Sequence, residues 1–599
     1  MAAMEPPAKR PRRPPAEEHG QPLLRRASST RFVGRAPSIR REGRKATKLA
    51  LNDYVHGTIE MGGLEQRIID TPEFQRLDGL AQLGTAQYVY RGAKHTRFEH
   101  SLGVAHLAEK LLRSLNRNQS EHTADERDIL CVKIAGLCHD LGHGPYSHLY
   151  DDVVIPAFFG PEKMIPMENG TYIKWSHEDA SIRLFEQLLA KNAIRLEDYG
   201  LGADDKDFIK ELINPNKDPR FRRGGRPLSK AYLFDIVNNT SSGLDVDKLD
   251  YFVRDAQRVG MQISIDPLFY DRLFQFARVC DVRREDGAYQ YTQICYRDKM
   301  VRDLLDIFRT RFDLHYKVYQ HKTVKAVEFM IRDALLVATN DKEKTITVAG
   351  RKTARHPTGR YTIAEAVHDM EAYANLKDSI LDAIESSSAP SLEAARRIIH
   401  RLRTRKLYKF VDKMRAPDIF ASEADGGLSE ETIRRDIVNA YREAYPVVAA
   451  RHASVVSSSS DEAAAVRFGA IPEDLLDDGC SQDTLPDQDA GDGDAEEGEG
   501  DSSHLREEDL ILLKKTIHFG RGAANPVSRI YFVEKDNVGK GFKIDEERYQ
   551  EVLPRSFISQ EVCLYVKDEL KAAAARLAFK AWTDKHERER GGGAGAGAG

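Results

Sequence analysis

The densest group of side chains able to bind a metal ion or to transfer protons lies between residues 138 and 148. The run reads CHDLGHGPYSH and contains His139, Asp140, His143 and His148. One buried histidine is usually an ordinary core residue, and the chain has a second His-Asp pair at residues 368 and 369 without such neighbours. Three imidazoles and a carboxylate so close together indicate instead a mixed nitrogen and oxygen site suited to iron, zinc or manganese.

Two other segments offer ligands to the same centre. The segment from His95 to Gly103 opens an apolar helical pattern and contains His100, and the segment from Gly243 to Tyr251 opens another and contains three acidic residues. Because such patterns predict separate helices, we expect a bundle in which two imidazoles and two carboxylates meet. The GHGP run is expected to end the helix before it and to let the backbone approach a ligand closely.

Apolar residues recur at steps of three and four over most of the chain, which predicts a mainly α fold. The predicted helices cover residues 102–115, 129–137, 207–213, 232–237, 244–259, 299–337, 363–384 and, with Ser391 as the capping residue, 391–407. Alternating patterns predict a few short strands at residues 289–296, 345–348 and 530–533. These strands are expected to decorate the helices.

Composition and charge narrow the function classes. With 41% hydrophobic and 31% charged residues, the 599-residue chain suits a globular protein. No apolar run approaches the roughly 18 residues of a membrane span, and no signal peptide is evident, so we expect a protein inside the cell without membrane contact. The basic run from Pro6 to Pro15 predicts import into the nucleus, with the cytoplasm as a second location. The same basic arm predicts contact with nucleic acid, and a merely solvated tail is the alternative.

Cysteine usage is that of a reducing compartment. The six cysteines include no CxxC pair, which excludes a zinc ribbon and argues against a disulfide framework. Cys280 and Cys295 flank a turn-rich stretch and are interpreted as two buried thiols, with a redox-sensitive pair across a hairpin as the alternative.

Several longer runs resemble one known family. They read RIIDTPEFQRL, RFEHSLGV, IAGLCHDLGHGPYSH, DVDKLDYFVRD and YQHK, and they start at Arg67, Arg97, Ile134, Asp245 and Tyr319. From about residue 48 to residue 585 the chain resembles the vertebrate SAM- and HD-domain-containing deoxynucleoside triphosphate triphosphohydrolases of the HD superfamily. The SAM domain of that family has no counterpart after the N-terminal basic run.

The resemblance implies a mainly α HD-domain core with a few short β-strands and a small α+β C-terminal lobe. Combined with composition, it divides the chain as follows. We expect a disordered basic tail (1–46), the HD-domain phosphohydrolase core (47–410), a helical connection (411–453), a disordered acidic insertion (454–508), the C-terminal lobe (509–586) and a flexible Gly/Ala tail (587–599).

The resemblance also implies metal-dependent hydrolysis of dNTPs to deoxynucleoside and inorganic triphosphate, with Mg²⁺ accompanying the triphosphate. The implied metal ligands are His100, His139, Asp140 and Asp247. His143, His148, His177 and Asp151 are the implied catalytic group, in which His148 is the candidate general acid, oriented by Asp151. The implied substrate contacts are Gln82, Leu83, Arg97, His143, His148, Lys248, Tyr251, Asp255, Arg311, Tyr319 and Gln320. Of these, the arginines and the lysine resemble phosphate contacts, and the tyrosines crowd the sugar so that a 2′-hydroxyl would clash.

In this family a guanine nucleotide and a neighbouring dNTP bind allosteric sites and stabilise a tetramer. Matching residues are Asp70, Gln75, Phe98, Arg405 and Lys409 for the first site and Val89, Arg272, Phe276, Arg297, Lys299, His321 and Lys322 for the second. Leu49, Asp78 and Asp303 depart from the family pattern by removing a cation or adding an anion. Lys48 and Arg76 are candidates to compensate. A GTP or dGTP activator and a dimer or tetramer are therefore implied less strongly than the reaction.

Two other readings remain open from the sequence. The chain could be another HD-type phosphodiesterase, or a nucleotide- or nucleic-acid-binding protein that hydrolyses nothing. The sugar and phosphate matches disfavour the first reading, and the complete set of metal ligands disfavours the second. Control of dNTP pools, and antiviral restriction through dNTP depletion, are implied by the resemblance alone.

Overall fold

The structure, a computed structural model, describes residues 48–167, 170–215, 225–283, 289–420, 427–445 and 505–593. They belong to one structural unit that begins at Lys48. The predicted basic tail lies outside the described residues, and so does the predicted acidic insertion except for residues 505–508.

Helices dominate these residues. The α-helices are α1 (Gly63–Ile69), α2 (Pro72–Gln75), α3 (Arg97–Asn118), α4 (Glu126–Cys138), α5 (Ile155–Phe159), α6 (His177–Lys191), α7 (Ala203–Ile213), α8 (Val246–Val259), α9 (Pro267–Phe276), α10 (Val301–Leu314), α11 (Lys322–Thr339), α12 (Met370–Ala374), α13 (Ile380–Ser386), α14 (Glu393–Arg403), α15 (Glu430–Ala444) and α16 (Ala572–Gly593). None of these helices is both long and apolar enough to span a membrane.

The strands are short. They are β1 (Leu49–Asp53), β2 (Gly57–Met61), β3 (Met164–Pro166), β4 (Tyr172–Lys174), β5 (Ala277–Arg283), β6 (Tyr289–Arg297), β7 (Val348–Ala349), β8 (Arg360–Tyr361), β9 (Lys409–Arg415), β10 (Leu510–His518), β11 (Tyr531–Glu534), β12 (Asn537–Phe542) and β13 (Ile558–Val566). The predicted strands at 289–296 and 530–533 correspond to β6 and β11, whereas residues 345–348 contribute only their last residue to β7.

Several predicted helices are divided or replaced. Residues 299–337 are split by a π-helical turn, His315–Tyr319, and residues 363–384 are split because Asp369 caps a new helix by accepting hydrogen bonds from the backbone at the start of α12. Residues 232–237 lie mainly in a 3₁₀ segment, Leu228–Asp235, where residues 231–235 are buried on all sides, so their apolar run does not mark one helical face. Ser391 does not cap α14; its hydroxyl donates to Glu343 Oε2 at 3.2 Å.

The main apolar core is built around α3, α4 and α8. A Cβ atom at Gly136 of α4 would lie 3.3 Å from Ala105 Cα of α3, so the glycine allows close approach of the two helices. Helix α4 begins with a capping box in which Asp125 accepts from the backbone N–H of Asp128 at 2.8 Å. The two helices are therefore held against each other, with the start of α3 and the end of α4 beside the candidate site.

The chain after residue 504 packs back onto earlier segments. Strands β11 and β12 pair in parallel with β6 and β5, and the four strands close a small barrel. Strand β13 lies between β10 and β9 in an antiparallel sheet, against which α15 and α16 enclose a second apolar cluster. The mainly α fold with short strands and an α+β C-terminal layer is thus confirmed. Helix α16 continues to Gly593, past the start of the predicted Gly/Ala tail.

The barrel holds the two cysteines singled out in the sequence. Cys280 of β5 and Cys295 of β6 are free, buried thiols that pack with Val533 of β11. Burial and the neighbouring Cys280 thiol raise the pKa of Cys295 well above its usual value. The two cysteines match the interpretation as two buried thiols, and the redox-sensitive pair stays the alternative.

Replacing Phe579 by alanine should destabilise the C-terminal layer. The Phe579 side chain is 1% exposed in the second apolar cluster, so Phe579→Ala is expected to lower the free energy of unfolding by about 3–5 kcal/mol. Urea unfolding followed by tryptophan fluorescence would measure this, because the Phe579 and Trp582 rings lie 5.6 Å apart. Leu570→Ala is the matched control: that side chain is 76% exposed, and a change beyond about 0.5 kcal/mol is not expected. Equal effects of the two variants would contradict the packing.

Candidate active site

The predicted metal ligands converge where α3, the end of α4 and the start of α8 meet. His100 Nε2 lies 3.0 Å from Asp247 Oδ1 and 3.5 Å from Asp140 Oδ2. His139 Nε2 lies 3.3 Å from Asp140 Oδ1 and 3.5 Å from Asp247 Oδ1. Each of the two imidazole nitrogens therefore lies within 3.5 Å of both carboxylates.

The protonation pattern of this group suits a divalent cation. His139 Nδ1 lies 2.8 Å from the carbonyl oxygen of Gly136 and donates to it, which leaves the Nε2 lone pair facing the carboxylates. That Nε2 atom is buried and has no hydrogen-bond partner among the described residues. Burial lowers the pKa of His100, but hydrogen bonds to Asp247 and Asp250 raise it to about 10, because the carboxylates attract positive charge; a divalent cation bound at the same carboxylates would replace the proton on Nε2. His100, His139 and Asp247 place one ligand atom each within 4.8 Å of one another, which fits a single divalent metal ion.

Three histidines form a second cluster beside the first. His177 Nδ1 lies 3.0 Å from Asp151 Oδ2, and the indole N–H of Trp175 donates to Asp151 Oδ1 at 2.9 Å. The His177 ring stacks on His143 with centroids 4.0 Å apart, and the His148 ring lies edge-on to His143 at 5.1 Å. Burial lowers the pKa of His177, but the hydrogen bond to Asp151 raises it to about 9. This cluster can hold and pass on a proton.

The expectation that Asp151 orients His148 is not met by the geometry. Asp151 is buried between His143 and His177, and the carboxylate beside His148 is Asp152, with 3.9 Å between His148 Nδ1 and Asp152 Oδ2. The cause is the π-helical turn Tyr150–Val154, in which the first aspartate faces inward and the second is exposed. Asp151 therefore acts on His177.

The backbone of the turn between α4 and His148 has an energetically unfavourable conformation. Tyr146 and Ser147 have φ of 59° and 58°, a left-handed conformation that costs about 1 kcal/mol or more for each non-glycine residue. Asp378 accepts from the Tyr146 N–H at 2.6 Å and from the Ala81 N–H at 2.9 Å, while the Ser147 hydroxyl donates to the Ala81 carbonyl at 2.7 Å. These bonds hold His148 in place.

The glycines of the turn serve packing within the protein. A Cβ atom at Gly142 would lie 2.1 Å from the His177 carbonyl, and one at Gly144 would lie 2.3 Å from the Tyr150 ring. The sequence had predicted a close approach of the backbone to a ligand. The structure shows instead that Gly142 lets the start of α6 bring His177 to the other histidines.

Three cations predicted to bind phosphate are each anchored by other protein groups. Arg97 donates to Asp140 and, at 2.8 Å, to the Ser147 hydroxyl. Lys248 Nζ donates to Asp245 Oδ2 at 2.8 Å. Arg311 donates to the carbonyl of His518 at the end of β10.

The predicted sugar contacts lie on the side of His100 that faces α8 and the π-helical turn His315–Tyr319. The Tyr251 ring is edge-on to His100 at 6.4 Å and to Tyr319 at 6.5 Å. The Tyr319 hydroxyl donates to Asp255 Oδ2 at 2.6 Å, and Asp255 Oδ1 lies 2.7 Å from His95 Nε2. The remaining predicted contacts are Gln82, with a buried Oε1 that lacks a partner among the described residues, the half-buried Leu83, and Gln320, which ends the π-helical turn.

Comparison with known proteins identifies the family. The HD domain model matches residues 97–250, which include all four predicted metal ligands. The human protein named deoxynucleoside triphosphate triphosphohydrolase SAMHD1 is 37% identical over 546 residues, covering 90% of this chain and 73% of that protein. This chain belongs to the SAMHD1 family. The mouse protein is 36% identical over 546 residues, covering 89% of this chain and 70% of its own length, and the Dictyostelium discoideum homologue is 36% identical over 374 residues, covering 62% and 61%.

Three of the residues predicted to form the first allosteric site have partners within the chain. Gln75 donates to the Ile69 carbonyl at 2.8 Å, Arg405 to the Tyr88 carbonyl at 3.2 Å, and Lys409 Nζ lies 2.7 Å from Glu569 Oε1. The two others are Asp70, which ends α1, and Phe98, whose ring is edge-on to Phe74 at 5.3 Å.

The two cations considered as compensation for Asp78 are engaged elsewhere. Arg76 is fully buried and donates to the carbonyls of Leu376, Leu141 and His143, at 3.1, 3.0 and 2.7 Å. It therefore holds the turn between α4 and His148 and cannot face a polyphosphate at the surface. Lys48 pairs with Glu60 at 2.7 Å.

The second matched site of the SAMHD1 family contains an internal ion pair. Arg272 Nη1 and Nη2 donate to the two oxygens of Asp303 at 2.9 and 3.1 Å. Lys299 Nζ lies 3.5 Å from the centroid of the Phe276 ring, and Arg297 donates to the Glu534 carbonyl at 2.7 Å. The remaining residues are the half-buried Val89, His321, whose Nδ1 accepts from the Thr323 N–H at 3.2 Å, and Lys322, 5.7 Å from the Phe410 ring.

Several residues of the site carried no clear signal in the sequence. Trp175 donates to Asp151, the Ser147 hydroxyl accepts from Arg97, and Asp378 holds the backbone of the turn at Tyr146, yet none of the three has a side chain that the sequence marked as a metal ligand or catalytic group. Asp250 did offer a signal, because it lies one helical turn after Asp247 on α8.

Replacing Asp151 should change the protonation of His177. In Asp151→Asn the pKa of His177 is expected to fall from about 9 towards its ordinary value of about 6.5, because the hydrogen bond that most strongly opposes burial is weakened and only the charges of Glu178 and Asp140 still favour the protonated ring. In the unmodified protein the stabilisation from this pair is complete below about pH 6.5 and is lost as the pH rises through about 9. Histidine NMR titration would measure the pKa directly. Asp152→Asn, which removes an exposed carboxylate one residue later, should leave it unchanged; a shift of the same size there would contradict the assignment.

Proposed function

We propose that this protein hydrolyses dNTPs to deoxynucleoside and inorganic triphosphate. The observation that carries the proposal is that His100 and His139 each lie 3.0–3.5 Å from both Asp140 and Asp247, beside a separate histidine cluster and anchored cations. Family membership supports it, because the human relative is named for this activity.

The four ligands would hold Fe²⁺, Zn²⁺ or Mn²⁺, with Mg²⁺ entering as part of the triphosphate substrate. When bound, such an ion supplies Lewis-acid stabilisation of charge at the phosphate. The protein itself provides Arg97, Lys248 and Arg311 around the same region. Since these cations are already fixed by hydrogen bonds, they can neutralise the triphosphate without large rearrangement.

Proton transfer falls to the histidine cluster. His148 is the candidate donor to the departing 5′ oxygen, since its ring is exposed to the cleft while His143 and His177 are packed behind it. The negative charge of a bound triphosphate favours the protonated form of His148. His177, held protonated by Asp151, is the proton reservoir within this cluster.

The sugar pocket accounts for the preference for deoxynucleotides. Tyr319 is held by Asp255 and stands 6.5 Å from Tyr251, so both rings are rigid walls. A ribose 2′-hydroxyl would have to displace them. Because the pocket recognises mainly sugar and phosphates, it should accept several bases, with dGTP among them.

Product analysis tests the reaction. Purified protein is incubated with dGTP, Mg²⁺ and Mn²⁺, with and without GTP and mixed dNTPs, and the products are separated by ion-exchange chromatography. We expect deoxyguanosine and triphosphate, abolished in His139→Ala and retained in His368→Ala, which alters the other His-Asp pair of the chain. Deoxyguanosine monophosphate would indicate the phosphodiesterase alternative, and the absence of product in every mixture would indicate a binding protein.

We further propose that Asp303 weakens nucleotide activation by competing with a phosphate for Arg272. The support is the two-bond ion pair between them, in which Asp303 stands where the family has an asparagine. An activator such as GTP or dGTP, and assembly into a dimer or tetramer, remain part of the proposal.

Removing this carboxylate should increase sensitivity to nucleotide. In Asp303→Asn the dNTP concentration that gives half-maximal assembly should fall about fivefold, since an exposed ion pair is worth about 1 kcal/mol. Sedimentation velocity across a dNTP series, with GTP present, would measure it. Asp306→Asn removes an exposed carboxylate one turn later and serves as the control. An unchanged midpoint in Asp303→Asn would refute the competition.

Location and cellular role rest on the N-terminal sequence and on the family. We propose residence in the nucleus, with the cytoplasm as a second location, and control of dNTP pools that would also restrict viruses. The basic arm is the proposed contact for nucleic acid.

A further inference from the structure

A buried carboxylate behind the metal ligands has no part in the reaction described so far. Asp250 is fully buried and accepts four hydrogen bonds. One comes from His100 Nδ1 at 2.8 Å and one from His56 Nε2 at 2.6 Å. The other two come from Arg254, from Nε at 2.8 Å and Nη2 at 2.9 Å.

The opposing helix leaves room for this carboxylate. A Cβ atom at Gly103 of α3 would lie 1.9 Å from Asp250 Oδ1 and 2.6 Å from Arg254 Nη2. Any larger residue there would displace the carboxylate from His100. The contact between α3 and α8 is therefore shaped around Asp250.

The third partner comes from the N-terminal hairpin, outside the residues matched by the HD domain model. His56 lies in the turn between β1 and β2, and Asp53 Oδ1 accepts from the His56 N–H at 2.8 Å, which shapes the turn. Asp53 Oδ2 accepts from Arg254 Nη1 at 2.8 Å. The hairpin therefore contacts Asp250 directly through His56. It also contacts it indirectly, because Asp53 binds Arg254, which binds Asp250.

The hydrogen bond from His100 to Asp250 decides which ring nitrogen of His100 carries the proton. A neutral imidazole that offers one nitrogen to a metal must carry its proton on the other. Because an ionised carboxylate only accepts hydrogen bonds, Asp250 requires the proton of His100 on Nδ1. The Nε2 lone pair is then directed at Asp140 and Asp247, where the metal is expected.

We propose that Asp250 and His56 are positioning residues of the metal centre. Asp250 sets the tautomer and ring orientation of His100, and His56, carried by the N-terminal hairpin, keeps Asp250 in place together with Arg254. The inference rests on the proposed metal-dependent function. The hairpin of β1 and β2 then contributes to metal binding through His56.

Metal retention tests this in the full chain. The variants Asp250→Asn, His56→Leu and His56→Gln are reconstituted with Mn²⁺, and metal loss to EDTA is followed by mass-spectrometric metal analysis. Asp250→Asn and His56→Leu should bind Mn²⁺ about 10- to 100-fold more weakly, the usual effect of removing an outer-shell partner. His56→Gln keeps an N–H donor and should recover part of the loss. Asp198→Asn and His400→Gln, both on exposed positions, are the matched controls and should stay within about twofold of the unmodified protein.

Thermal unfolding of the metal-free proteins separates positioning from simple loss of stability. His56→Leu should lose some stability, because it removes one hydrogen bond of a buried carboxylate, but should remain folded at the assay temperature, and it carries the test if Asp250→Asn fails to fold. Affinity within twofold of the unmodified protein in every folded variant, or no recovery in His56→Gln, would overturn the proposal. Triphosphate release is assayed in parallel. The predicted order of metal retention without triphosphate would support the positioning role and contradict only the proposed reaction, whereas an unmodified protein that binds no metal would overturn both.

Discussion

Three carboxylates, those of Asp140, Asp247 and Asp250, are brought together at the junction of α3, α4 and α8, and the structure around them follows from the need to balance their charge. Removing a carboxylate from water is costly unless cations or hydrogen-bond donors replace the solvent. Here the protein directs His100, Arg97 and Arg254 at them. The negative charge that remains is what makes the site suitable for a divalent ion.

Contacts from several parts of the chain fix the turn that follows α4 and carries the histidines of the site. The segment from His139 to His148 combines two left-handed residues, glycines in contact with neighbouring backbone or rings, and carbonyls held by a buried arginine. Strain of this kind persists only where surrounding contacts determine the conformation. Arg76 and Asp378 supply those contacts, so the direction of His148 depends on side chains to which no catalytic role is assigned.

The position of the candidate site also depends on the C-terminal segment. Strands β11 and β12 complete a barrel with β5 and β6, and the carbonyl of His518 holds Arg311. The proposed phosphate contact thus relies on a residue more than two hundred positions later in the sequence. The residues after the acidic insertion are in this sense part of the active site's framework.

The sequence by itself determined the chemistry and most of the helices. Ligand types concentrated in a few short runs, and apolar residues at helical spacing, are local signals, so α3, α4, α8 and the segments that carry the ligands could be read from them, whereas the choice of the four ligands came from the family resemblance. The distinctive runs in one order also led to the family. Local spacing failed where a break depended on a side chain, as at Asp369, or where burial was uniform, as around residues 231–235.

Only the tertiary structure decided which side chains pair with one another in and around the site. Asp151 holds His177 and leaves His148 to Asp152, Arg76 is buried under the turn between α4 and His148, and Asp303 occupies Arg272. The partnership of Asp250 with His56 joins residues 194 positions apart. Such pairings depend on how helices and turns pack in three dimensions, and residue spacing along the chain carries no measure of those distances.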